Sequence, residues 1–157
     1  MDMKKIVLLF VMALSFFAKP AFSQNCFEIT SILVDACGNP EGENEMIRFK
    51  IGNAPLLTSS LGVVWANTNA NYLGICQNAN TTQKVADLNA TIISCGVLLE
   101  PVADELPANS NVILVTSENI NPAYNSFANL TDTIYIIFQC AGNTSGHFKN
   151  HYPVSGT

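Results

Sequence analysis

Residues 45–51 read EMIRFKI. Ile47, Phe49 and Ile51 fall on one side of this run, and Met46, Arg48 and Lys50 on the other. A period of two belongs to extended chain, whose side chains alternate between faces. One apolar side and one largely charged side make a half-buried antiparallel strand, which Gly52-Asn53 closes. Upstream, Phe27 to Asp35 (FEITSILVD) is rich in β-branched and aromatic residues and ends in the turn cluster CGNPEG. Downstream, Val112 to Thr116 (VILVT) reads as a short buried strand, and Thr133 to Phe138 (TIYIIF) as the last strand. Leu61 to Ala66 (LGVVWA) is a short apolar run holding the single tryptophan, Trp65, and Ala90 to Leu99 reads as one or two further strands. Asn67 to Gln83 is rich in Asn and Thr and reads as a long loop, with one turn of helix over Lys84 to Asn89. About seven short strands separated by turn chemistry predict an all-β fold, an immunoglobulin-like antiparallel β-sandwich. No internal repeat of solenoid length is present.

The first 23 residues read differently. Lys4 and Lys5 precede an apolar run from Ile6 to Ala18, broken only by Ser15, and Ala21-Phe22-Ser23 supplies the small residues of a cleavage site. That is a three-part secretory signal. The run is too short for a membrane-spanning helix, which needs about 20 apolar residues. The expected organisation is a leader over 1–23, one domain over 24–140, and a tail over 141–157 that begins a further segment of a longer protein. Loss of Asp2, Lys4, Lys5 and Lys19 with the leader leaves 4 basic and 11 acidic residues, a net charge of −7. Such a chain lacks the cationic surface that nucleic acid or an anionic membrane requires.

Five cysteines remain, and an exported chain meets an oxidising compartment. Cys26 and Cys37 bracket the first strand, which holds them about 30 Å apart at roughly 3.3 Å per residue, too far for a cystine. Cys76 with Cys95 is the expected pair. Cys26 would meet Cys140 if the first and last strands were antiparallel neighbours, leaving Cys37 over.

The acidic turn raises the question of a metal. Asp35, Glu41, Glu43 and Glu45 fall within eleven positions and could supply calcium ligands, with Asn39 and Asn44. Their spacing is not that of an EF-hand loop. Alternatively the turn is a solvated connector in which Glu45 shares the inward phase of Ile47 and needs a backbone N–H or an arginine for company. A carboxylate pair for glycoside hydrolysis is a remote alternative. His147 and His151, with Cys140 upstream, could share a zinc only on a helix that GHFKNHYP does not favour, so they are expected at the surface of a tail. No nucleophile motif is present. Trp65 and Tyr72, with Asn67, Asn69 and Asn71 between them, could form a sugar-stacking patch, though a tryptophan in an apolar run is expected in the core. Asn80, Asn89, Asn129 and Asn143 each open an N-glycosylation pattern, a short motif expected to arise by accident in a chain this rich in Asn and Thr.

Four stretches together resemble a known family: ILVDACGNPEGENEMIRFKIGNAP, then LGVVWAN, LPANSNVILVTS and TIYIIF. They are similar to the lamin-tail-like domain of exported bacterial surface proteins of the Bacteroidetes type, over about Phe27 to Phe138. The second strand departs from that family in being less acidic, and the segment from Asn67 to Cys95 is a long insert carrying cysteines. The resemblance implies an immunoglobulin-like, non-catalytic module. The function expected is adhesion, display or spacing on a multidomain secreted or cell-surface protein, with other domains of that protein, or surface glycans and proteins, as partners. The alternative is a carbohydrate- or calcium-dependent binding module.

Overall fold

The computed structural model describes residues 27–34 and 36–148. The leader, Cys26, Asp35 and His151 lie outside these residues. Among the described residues are eight strands, β1 (Glu28–Leu33), β2 (Met46–Lys50), β3 (Leu56–Leu57), β4 (Ile75–Cys76), β5 (Val97–Leu99), β6 (Glu105–Leu106), β7 (Asn111–Val115) and β8 (Thr133–Gln139), and one α-helix, α1 (Ala79–Asn89). The described residues are sheet-rich with one short α-helix.

A single mixed sheet organises the molecule, in the order β1-β2-β7-β8-β4. β2 is antiparallel to both β1 and β7, as its alternation predicts. The sheet is not antiparallel throughout, however. β7 and β8 run parallel, and β5 runs parallel to the first half of β8 while β4 runs antiparallel to its second half. A parallel neighbour demands a crossover. The connection over 116–132 makes it, and lays Ile120, Phe127 and Leu130 on one face of the sheet.

Both faces are covered, which explains why β7 reads as an unbroken apolar run. Ile113 and Val115 of β7 pack with Met46, Ile134, Ile136 and Phe138 against Val85 and Leu88 of α1. Val112 and Leu114 pack with Ile47, Phe49 and Ile137 beneath Trp65, Ala70 and Leu106. That second cover is the 51–72 segment together with the two-stranded β3–β6 sheet. Leu61 to Ala66 contributes to it as irregular chain rather than as a strand. β8 supplies both cores, and its Ile134, Ile136, Ile137 and Phe138 are each at most 2% exposed. Burial of such a side chain contributes about 1.5–3 kcal/mol.

The helix begins inside the segment expected to be loop. Asn78 caps it by accepting from the N–H groups of Asn80 and Thr81, and Thr81 Oγ1 accepts from the Asn78 N–H in return. Such a reciprocal cap satisfies donors that a helix start leaves orphaned. Thr81, Val85 and Leu88 then form the buried stripe. Two carboxylates adjoin this N-terminus: Glu100 accepts from the Thr81 and Thr82 hydroxyls, and Glu118 from Asn78 Nδ2. Negative charge is favoured at the positive end of the helix dipole.

The cystine also departs from the expected pairing. Cys76 bonds Cys140, with 5.0 Å between their Cα atoms, and Cys37 and Cys95 are free and exposed. The cause is topological. Cys76 closes β4, which pairs with the end of β8, and Cys140 follows β8 directly. β1 and β8 are not neighbours, because β2 and β7 separate them. The condition under which Cys140 was expected to meet Cys26 is therefore not fulfilled, and Cys140 is taken by Cys76.

Candidate functional site

An open groove of 410 Å³ lies between β1 and the 61–66 segment. Its walls are apolar: Phe27, Ile29 and Ile32 on one side, Val63, Val64 and Trp65 on the other, with Ile47, Phe49 and Leu114 as floor and Phe148 at one end. Strand register decides which β1 residues face it. Ile29 lies opposite Phe49 and Ile32 opposite Ile47, and cross-strand partners share a face. Phe27 stacks on Phe49 with ring centroids 4.3 Å apart. Residues of both walls are open to solvent: Ile29 is 55% exposed and Val64 99%. An apolar concavity of this size is of the kind that takes a ligand or a partner's side chain.

Behind the groove wall is a sealed polar cluster. Glu45, Gln139 and His147 are each 0% exposed. The Trp65 indole N–H donates to Gln139 Oε1 at 3.0 Å. An indole nitrogen only donates, so this contact fixes the orientation of the Gln139 amide. Gln139 Nε2 then donates to the Thr116 carbonyl at 3.1 Å and faces His147 Nε2 at 3.0 Å. His147 Nε2 must therefore be the acceptor, and the ring proton sits on Nδ1, 3.2 Å from Glu45 Oε2. The same oxygen accepts the His147 backbone N–H at 2.6 Å. The imidazole meets the edge of Trp65 at a centroid distance of 4.7 Å. Glu45 is inward, as its phase predicts, and one of its partners is a backbone N–H; the other is a histidine rather than an arginine.

This cluster straps the 141–148 segment onto the sheet. Gly42 N–H donates to the Thr144 carbonyl, and a Cβ at Gly42 would collide with the Ser145 carbonyl, so only glycine fits there. Asn67 holds the same segment through its side chain to the Gly146 carbonyl and its N–H to that of His147. His147 is thus interior rather than a surface residue of a tail. The sequence concealed this, because a lone histidine in a Gly- and Asn-rich stretch carries no periodicity.

The other expected site residues do not converge. Glu43 accepts from Asn119 Nδ2 at 3.2 Å, while Glu45 is committed to His147. Asp35, like His151, is outside the described residues. Among the described residues no group of three His, Cys, Asp or Glu side chains is placed to hold a metal ion, and Cys140 is consumed in the cystine. Trp65 is core, with its ring buried and its N–H spent on Gln139. Tyr72 packs at the edge of the same core, and burial pushes its phenol above the usual range. No helix among the described residues is long and apolar enough to cross a membrane.

Compared with protein families, curated proteins and solved structures, the chain matches none of them.

Proposed function

We propose that this chain is a non-catalytic module exported to the cell exterior, of the lamin-tail-like kind its motifs suggest, serving adhesion, display or spacing through the apolar groove beside β1. One observation carries the reading. The carboxylate–imidazole pair Glu45–His147 is wholly buried, whereas the concavity open to solvent is lined by hydrocarbon. A general base must come within about 3 Å of the proton it takes, and the full burial of this pair supports a structural role for it. The Cys76–Cys140 cystine fits an oxidising exterior. The groove favours contact with a protein over the alternative of sugar binding, because its walls carry no amide or carboxylate.

The test uses the chain secreted without its leader. Beads coated with it should adhere to cells of the producing strain, and Ile32→Asp, which places a charge in the groove wall, should abolish adhesion without loss of the folded state by circular dichroism. Turnover of any pooled glycoside, ester or peptide substrate by the purified chain would defeat the non-catalytic reading. Adhesion indifferent to Ile32→Asp would defeat the role of the groove.

A further inference from the structure

β1 ends the sheet, and among the described residues no strand pairs with its outer side. All six of its residues are exposed. An open strand edge is a template for another strand, and proteins guard such edges with charges, prolines or bulges. β1 has no proline, one charge at its first position (Glu28), and one bulge at Thr30.

The two flanks of this edge differ chemically. On one flank Ile29 and Ile32 open into the apolar groove. On the other, Ser31 lies opposite Arg48 and Glu28 opposite Lys50. Arg48 is half-buried, its Nε is shut off from water with no hydrogen-bond partner, and it takes part in no ion pair among the described residues. A desolvated guanidinium donor without an acceptor is costly, and a carboxylate is the group that relieves it best. Only four cations remain once the leader is gone, and Arg48 and Lys50 are two of them.

We propose that the β1 edge receives an extended segment of a partner protein that alternates apolar and acidic residues, added to the sheet as a further strand. This deepens the contact-module reading and rests on it. Main-chain hydrogen bonds to the open edge supply affinity, and side chains on alternate faces supply selectivity. Apolar residues opposite Ile29 and Ile32 extend the groove wall. Acidic residues on the other face pass over the small Ser31 side chain toward Arg48. Two strand spacings, about 10 Å, separate that added strand from β2, a span that a glutamate and an arginine close between them. The bulge at Thr30 discourages a flat strand of arbitrary sequence, which leaves the choice of partner to the two flanks. The chain's net negative charge repels an acidic segment at long range, so the contact is selected at close range and survives salt.

The test is a fluorescence-anisotropy titration of the secreted chain with a blocked Val-Glu repeat heptapeptide. Saturable binding is expected. It should weaken at least tenfold in Arg48→Met, which keeps the stem's packing, and be absent for a Val-Lys repeat and for a Val-Glu repeat with a central proline. Hydrogen exchange should slow at β1 amides when the peptide binds. The proposal falls if the Val-Glu peptide does not saturate, if the Val-Lys peptide binds equally, or if Arg48→Met stays within twofold of the parent. It also falls if sedimentation shows a second copy of the chain protecting β1. Bead adhesion that depends on Ile32, with no peptide binding, would remove this occupant and keep the contact-module reading. Peptide binding with no bead adhesion would do the reverse.

Discussion

The two edges of the central sheet are finished in opposite ways. At β8, two short strands share one side, the Cys76–Cys140 cystine bolts β4 in place, and Glu118 ties the capped start of α1 to the Ala141 N–H. At β1, no strand among the described residues pairs with the outer side, and apolar residues face solvent. One edge is built to hold and the other is left to meet something. Under the proposed function, stability and contact fall to different ends of a single layer, and substitutions at one end should leave the other's property untouched.

The largest effect is expected at the closed edge. Cys76→Ser with Cys140→Ser removes a cross-link between residues 64 apart in sequence, which should lower stability in denaturant titrations by about 4 kcal/mol in the loop-entropy account. Next comes the strap between the edges. His147→Ala strips a buried carboxylate of its ring partner and should cost about 3 kcal/mol, with loss of near-ultraviolet signal from Trp65. At the open edge, Ile29→Ser should change stability by no more than about 1 kcal/mol, because that side chain is half in water already. A larger loss would mean that the β1 edge is structural after all.

The smallest effect depends on pH. The Asn78 side-chain donor, with the Ala141 N–H, holds the Glu118 carboxyl below the usual carboxylate range. A carboxylate whose folded pKa is depressed stabilises above its unfolded pKa, and that contribution disappears as pH falls through the folded value. The melting temperature of the parent should therefore fall more steeply on acidification than that of Glu118→Gln, with the two curves converging at the acid end.

Much of the sheet was legible in the sequence, and the reasons are local. β1, β2, β7 and β8 are period-two or continuous apolar runs, and a strand announces itself that way whatever its neighbours. The direction of β8 relative to β7 was not legible, since it depends on the 116–132 crossover rather than on either strand. Only the last turn of the helix was expected, over Lys84 to Asn89, because its first half, ANTTQ, is rich in Asn and Thr, although Asn78 with Thr81 was a readable cap. The cystine depends on the pairing of a two-residue strand, β4, with β8, and so could not be found by spacing. In the acidic turn, the inward placement of Glu45 was legible from phase alone. Its histidine partner lies 102 positions away, beyond any local pattern.

The position of β8 has a consequence for how the chain is made. It is the last strand among the described residues, yet it supplies side chains to both cores and touches three other strands. An emerging polypeptide lacking it has two half-built layers and no keystone. Assembly of this layer must therefore wait until residues 133–139 have appeared. A polypeptide threaded across a membrane would arrive on the far side still unfolded, and the Cys76–Cys140 bond would be among the last features it acquires.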